Sequence, residues 1–200
     1  MNMWHERFKE EEYVYGKEAS EIVRIAAEKL RKESRVLSIA EGEGRNAVFL
    51  AENGLHVTTW DYALSGIEKT KKLALERGVV VEAEFCDLAE AEWTEDKWDA
   101  VIHVFGHFPV PVFEKTMEGI KKSLKPGGLY VSELYSTEQI HFKSGGPRDI
   151  ELLYTPIQML NTFQDWYIHH FYTGEAKRNE GKLHQGTSHV IQSIFQKPTK

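Results

Sequence analysis

Cysteine is nearly absent from this 200-residue chain. Cys86 stands alone, which excludes an internal disulfide framework and suits a reducing compartment. Positive charge is in deficit too: 25 Lys and Arg face 31 Asp and Glu, for a formal net charge of −6. That balance disfavours nucleic acid or anionic lipid as the main partner, because affinity there comes from clustered basic side chains. Long apolar runs are missing. The longest stretch free of Asp, Glu, Lys and Arg is Ala100–Phe113, which contains two His and two Pro and falls short of the ~18 apolar residues of a membrane span. The opening Met1-Asn2-Met3-Trp4-His5-Glu6-Arg7 is charged and aromatic without an apolar h-region. No secretory signal is therefore expected, and the cytoplasm is the expected compartment.

What remains is an ordinary globular composition, 41% apolar and 28% charged, of a length that suits a single domain over residues 1–200. Short apolar runs alternate with amphipathic stretches, the pattern of an α/β domain with a mainly parallel sheet. Residues 1–16, with Trp4, Phe8, Tyr13 and Tyr15, read as a covering segment or short helix that could serve as a lid. Helical spacing over Lys17–Lys32 leads into a buried strand, Val36–Ala40. Helices over Arg45–Asn53, 64–77 and Val112–Leu124 alternate with strands Leu55–Trp60, Val79–Phe85, Trp98–Phe105 and Leu129–Tyr135. A loop over 136–154 and a short helix near Pro156–Phe163 follow. Two strand-like runs, Asp165–Thr173 and Thr187–Lys197, are joined by a polar segment and form a terminal antiparallel hairpin.

The first strand runs into Glu41-Gly42-Glu43-Gly44, where glycine permits a tight strand-to-helix turn. Gly42-x-Gly44-x-x-Ala47 with Asp61 nineteen residues beyond Gly42 meets the dinucleotide fingerprint on paper. Asp61 at the next strand end is placed to accept from ribose hydroxyls; a solvated loop carboxylate is the competing reading. Charge discriminates between ligands. A pyrophosphate would lie against Glu41 and Glu43, each like-charge pair costing about 3 kcal/mol at ~5 Å and an effective dielectric of ~20. S-adenosylmethionine carries no phosphate. An acidic loop tolerates its ammonium and sulfonium, and Arg45 or free N–H groups at the helix start suit its carboxylate. Asp87 is a partner for the adenine amino group, or else a loop cap, with backbone near Leu88 reading the ring and Tyr62 offering an aromatic face.

Together these segments resemble the class I S-adenosylmethionine-dependent methyltransferases, in particular their tellurite-resistance-like and thiopurine-like branch. The resemblance rests on Val36–Gly44 with Arg45-Asn46, Trp60-Asp61, Cys86-Asp87-Leu88, Trp98–Ile102 and Leu124-Lys125-Pro126-Gly127-Gly128. It extends to the opening Trp4 to Gly16 and the tail Gly181-Lys182-Leu183-His184 with Val190-Ile191-Gln192. It implies a Rossmann-like seven-stranded sheet in the order 3-2-1-4-5-7-6, the last strand antiparallel, with helices on both faces. It also implies S-adenosyl-L-methionine contacts at Ala40, Glu41, Gly42 and Gly44, at Asp61, at Asp87 and Leu88, and at Phe105; Arg45, Tyr62 and Tyr15 of the opening segment are candidate contacts beside them. Two departures stand out: Ser38 occupies a place where the family often has an acid, which Glu41 would replace, and Ala40 a place where it often has glycine.

Methyl transfer from a sulfonium needs alignment and exclusion of water more than acid–base groups. The acceptor, a small molecule such as a chalcogen oxyanion or a thiol, is expected beyond the ends of the fourth and fifth strands. His107 is the candidate base or orienting residue there. Trp4, Tyr135, Arg148 and His184 are candidate acceptor contacts, the last two suited to an anion; ordinary surface roles compete for each. No metal is expected, since His103 and His107 do not share a helix face and His169-His170 point opposite ways along a strand. A nicotinamide-dependent oxidoreductase and a non-catalytic S-adenosylmethionine binder are the competing functions. No nucleic-acid or membrane partner is expected.

Overall fold

The central strand is short, apolar and flanked on both sides. In a computed structural model that describes residues 3–199, β1 (Arg35–Ile39) pairs in parallel with β2 (His56–Asp61) and with β4 (Trp98–Val104). Leu37, for example, lies opposite both Thr58 and Val101. β3 (Val81–Phe85) continues the sheet beyond β2, and β5 (Leu124–Tyr135) continues it beyond β4. β7 (His184–Gln196) then runs antiparallel to both β5 and the edge strand β6 (Tyr167–Glu180). The order is β3-β2-β1-β4-β5-β7-β6. The chain therefore reverses its direction of strand addition between β1 and β4. In open α/β sheets the crevice outside the carboxyl ends at such a reversal is where ligands bind.

Alternation along the strands fills both faces. Val36, Ala100, Ile102 and Val131 join one core with α2 (Glu21–Ala27), α3 (Arg45–Glu52) and α4 (Leu64–Glu76). Leu37, Ile39, Val101 and Tyr130 join the other with α5 (Val110–Ser123) and α6 (Pro156–Thr162). Phe113, Met117 and Ile120 form the buried stripe of α5, at the three- and four-residue spacing of one helix face. A short N-terminal helix, α1 (Met3–Arg7), packs on α4. Met1 and Asn2 of the expected lid lie outside the described residues. Among the described residues no helix is long and apolar enough to cross a membrane.

The segment 136–154, expected as a loop, holds two short 3-10 helices, Thr137–His141 and Ile150–Leu152. Three elements differ further from the sequence expectation. The helix expected over Lys17–Lys32 spans only Glu21–Ala27, because Ser20 is held extended as its N-cap: its N–H donates to Asn46 Oδ1 and its hydroxyl accepts from Arg45. β5 begins at Leu124, and Lys125-Pro126-Gly127-Gly128 forms an irregular lead-in with a register jump between Trp98 and Ala100. The terminal hairpin is much longer than expected. Its polar middle pairs in full out to Glu180 opposite His184, closed by Gly181 at φ 64°, because Arg178 and Ser188 turn inward and bond each other.

Candidate functional site

The carboxyl ends of β1 and β4 both finish in backbone that L residues rarely adopt. Ala40 has φ 48° and Phe105 φ 55°, left-handed values that cost of order 1–2 kcal/mol for a residue with a Cβ. The two strained residues stand on the wall of a cavity of about 640 Å³ at the strand reversal. Left-handed backbone at Ala40 is the physical reason why glycine suits that place.

From Ala40 the chain enters the glycine loop. Ser38 donates its hydroxyl to the Glu41 carboxylate, and Glu41 Oε1 accepts the N–H groups of Asn46 and Ala47 at 2.9 and 3.0 Å. Glu41 thus caps the first turn of α3 from outside the helix, where the macrodipole favours a negative charge. Burial pushes its pKa up, against those three hydrogen bonds and Arg45. Asp61 closes the loop from β2: Oδ2 accepts from Gly42 N–H at 2.7 Å and Oδ1 from Ala63 N–H at 2.8 Å. Asp61 is 7% exposed, and burial raises its pKa while the backbone donors lower it.

These contacts correct four sequence expectations. The Asn46 and Ala47 N–H groups in the first turn of α3 are not free for a ligand carboxylate, since Glu41 takes them. Arg45 is not free either: it bonds the carbonyls of Tyr15 and Glu18 and the Ser20 hydroxyl, and pairs with Glu180 at 3.0 Å. Glu43 adds no open negative charge, because its buried carboxylate pairs with Lys69 at 2.7 Å and accepts the Tyr15 N–H. Gly44 is not on the cavity wall. A Cβ there would lie 2.8 Å from Thr70 of α4, so its role is close packing under the loop.

Gly44 aside, the predicted cofactor residues do converge on the cavity. Ala40, Glu41, Gly42 and Arg45 line it with Asp61, Tyr62, Asp87, Leu88 and Phe105, and Tyr15 and Trp4 reach it from the opening segment. Tyr62 presents a 42% exposed ring. Asp87 Oδ1 accepts from Ala89 N–H at 3.0 Å, so the loop-cap reading of this residue holds for one of its oxygens. Tyr13, by contrast, bonds the Lys69 carbonyl and packs against the core.

Four candidate acceptor contacts also meet there: His107, Tyr135, Arg148 and His184. His107 does not have the chemistry of a base. Its Nδ1–H donates to the Leu152 carbonyl at 2.7 Å, so Nε2 is the acceptor and faces the Tyr135 N–H at 3.4 Å. Burial brings its pKa down to about 3, leaving a lone pair too weakly basic to take a proton near neutrality. His184 is likewise neutral at pH 7. Burial lowers its pKa and Arg45 and Arg178 add to that, against Glu180. It therefore does not supply the positive charge expected for an anionic acceptor. Arg148 is exposed and donates to the Phe142 carbonyl at 2.8 Å.

Sequence reasoning missed the polar network behind His184. Arg178 bonds Glu133 and lies 3.4 Å from Glu180. Glu180 also pairs with Arg45, and its Oε2 lies 3.6 Å from His184 Nδ1. Two guanidinium and two carboxylate groups so link the hairpin to the glycine loop. Their signal was faint, charged residues in a segment read as a connection. Arg7 was missed too: it lines the cavity, lies over Trp4 and donates to the Tyr15 hydroxyl at 2.9 Å. Among the described residues no group of three or more His, Cys, Asp or Glu is arranged to hold a metal ion.

Residues 36–128 match a family model described as a methyltransferase domain. A demethylmenaquinone methyltransferase of Clavibacter sepedonicus is 30% identical over 106 residues, which are 53% of this chain and 43% of that protein. The chain thus spans less than half the length of that curated relative. TehB from Haemophilus influenzae superposes with a TM-score of 0.74 at 17% identity, over 90% of this chain and 62% of the other. A SAM-dependent methyltransferase from Methanosarcina mazei superposes with a TM-score of 0.71 at 16% identity, over 92% of this chain and all of the other. The fold is therefore the Rossmann-like methyltransferase fold, with the matched domain spanning β1 to the start of β5.

Proposed function

We propose that this protein is an S-adenosylmethionine-dependent methyltransferase acting on a small molecule. The observation that carries the reading is the filled N-terminus of α3. In nucleotide-phosphate sites the N–H groups of a glycine loop and helix start are open to the ligand. Here Glu41 holds those of Asn46 and Ala47, and Asp61 holds that of Gly42. A pyrophosphate would displace carboxylates from their donors and meet their charge. A donor without phosphate meets neither obstacle, which disfavours the nicotinamide reading.

The donor supplies a methyl group on a positively charged sulfur. The chain's residues bind and enclose it. Asp61, held rigid by two backbone donors, suits ribose hydroxyls, and Tyr62, Asp87 and Leu88 suit an adenine. Arg7 takes over the carboxylate role expected of Arg45. Trp4, Phe8 and Tyr15 wall off the loop side, with Phe8 packed against Gly42, and so exclude water from the transfer. The domain match and the demethylmenaquinone methyltransferase relative support the reading, and TehB lends the tellurite-resistance branch a weaker support.

Thermal unfolding with S-adenosylhomocysteine and, separately, with NADH tests this. At a hundred times its dissociation constant a ligand stabilises by about 2.7 kcal/mol. Protection by S-adenosylhomocysteine, reduced at least about tenfold in affinity by Asp61→Ala through loss of a hydrogen bond to a charged group, is the expected result. Protection by NADH alone would overturn the reading. Transfer of a labelled methyl group to any small acceptor separates an enzyme from a non-catalytic binder.

A further inference from the structure

Beyond the glycine loop, Asp61, Tyr62 and Asp87, which suit the donor, the cavity is walled by rings, with Phe105 at the boundary. Resting on the methyltransferase reading, we propose that the methyl acceptor is an uncharged, ring-bearing molecule, seated against Phe105, Tyr135 and His107 and enclosed by Val112 and Leu152. The three rings form a column: Phe105 and Tyr135 stack at 4.5 Å and 24°, and Tyr135 and His107 at 5.5 Å and 18°. Tyr154 extends it behind His107 at 5.2 Å and 18°. The rings cover one another's faces, and Arg178 lies over Phe105 at 5.1 Å. The column therefore turns ring edges to the cavity, and such edges favour the face of a flat guest ring in an edge-to-face arrangement. Gly146 presses on the same wall, a Cβ there falling 2.8 Å from Tyr135.

Charge argues the same way. Arg45 and Arg178, the buried cations beside this part of the cavity, are already paired with Glu180 and Glu133. His107 and His184 are neutral at pH 7, both through burial. Arg148 is exposed, turned to the Phe142 carbonyl, and followed in the chain by Asp149, which also lines the cavity. An oxyanion would thus lose its water without gaining a buried, unpaired cation, an arrangement strongly disfavoured in an apolar setting. An uncharged ring loses little on entering. This sets the proposal against the chalcogen oxyanion that the family resemblance offered beside a thiol.

Calorimetric titration of the S-adenosylhomocysteine-loaded protein with 2-naphthol and with sodium selenite tests the inference. Saturable binding of 2-naphthol is expected, weakened about tenfold or more by Val112→Asp or Leu152→Asp and altered less than about threefold by Arg148→Ala. No saturable binding of selenite is expected. Both Asp variants are checked first for S-adenosylhomocysteine affinity, which a folded variant retains. Failure of 2-naphthol to bind, indifference to both Asp variants, or selenite binding lost in Arg148→Ala would each overturn the proposal. If S-adenosylhomocysteine itself does not bind, the methyltransferase reading fails first, and the same titrations on the unloaded protein then decide the ring preference separately.

Discussion

Replacing Glu41 by alanine removes a carboxylate that three donors share. Two are backbone N–H groups in the first turn of α3, at 2.9 and 3.0 Å, and the third is the buried Ser38 hydroxyl. Asn46 and Ala47 are themselves buried, so water does not easily replace the lost acceptor. Hydrogen bonds to a charged group contribute about 1.5–3 kcal/mol each, and alanine at a helix-capping position costs about 0.5–2 kcal/mol. Relief of the burial that raises the Glu41 pKa offsets part of this. The expected net loss is about 2–4 kcal/mol, which for a domain of this size lowers the melting temperature by roughly 5–15 °C. Glu41→Gln keeps an acceptor oxygen without the charge and should fall about halfway. A second readout follows from the exposed donors: inorganic phosphate should raise the melting temperature of Glu41→Ala and leave the wild type unmoved, since an unfilled helix start attracts anions. Thermal unfolding followed by near-ultraviolet circular dichroism measures both effects. A variant within about 0.5 kcal/mol of wild type, or a wild type that phosphate protects equally, would refute the capping role and with it the case against a pyrophosphate ligand.

Two further outcomes are expected. Buried His103 has its pKa held down to about 4, from the ordinary 6.5, by burial; the unfolded chain therefore binds the extra proton between these values, and stability should fall as pH drops below about 6.5, with a slope of up to about 1.4 kcal/mol per pH unit down to about 4. Urea unfolding at pH 7 and pH 5 for wild type and His103→Gln checks this, since the variant's pH slope should be flatter; an equal slope would remove His103 as the cause. Ala40→Gly relieves the left-handed strain at φ 48° but adds freedom to the unfolded chain, so a net change within about 1 kcal/mol of zero is expected, whereas Ala40→Val should destabilise by more than about 1 kcal/mol because branched side chains resist that backbone; equal stability of the two variants would contradict the assigned conformation.

Much of the architecture was legible in local pattern. Apolar runs with the right length and flanking glycines mark the strands, and the three- and four-residue spacing of Phe113, Met117 and Ile120 marks α5. The glycine loop and Asp61 announce a ligand site because their roles depend on the chain's own short-range geometry. The length of the terminal hairpin was not legible: Arg178 and Ser188 are polar residues that read as surface until they are seen bonded to each other and buried.

The sequence by itself determined the alternation of strands and helices, the glycine turn, the carboxylate at the end of β2 and the aromatic stock of the site, because each depends on residue type and near neighbours. Only the tertiary structure decided which charges stay available. Glu41 is taken by the helix it precedes, Glu43 by Lys69, and Arg45 and Arg178 by carboxylates of the hairpin and β5. The net charge of a cavity depends on which partners the fold brings within a few ångströms, and spacing along the chain does not record that distance.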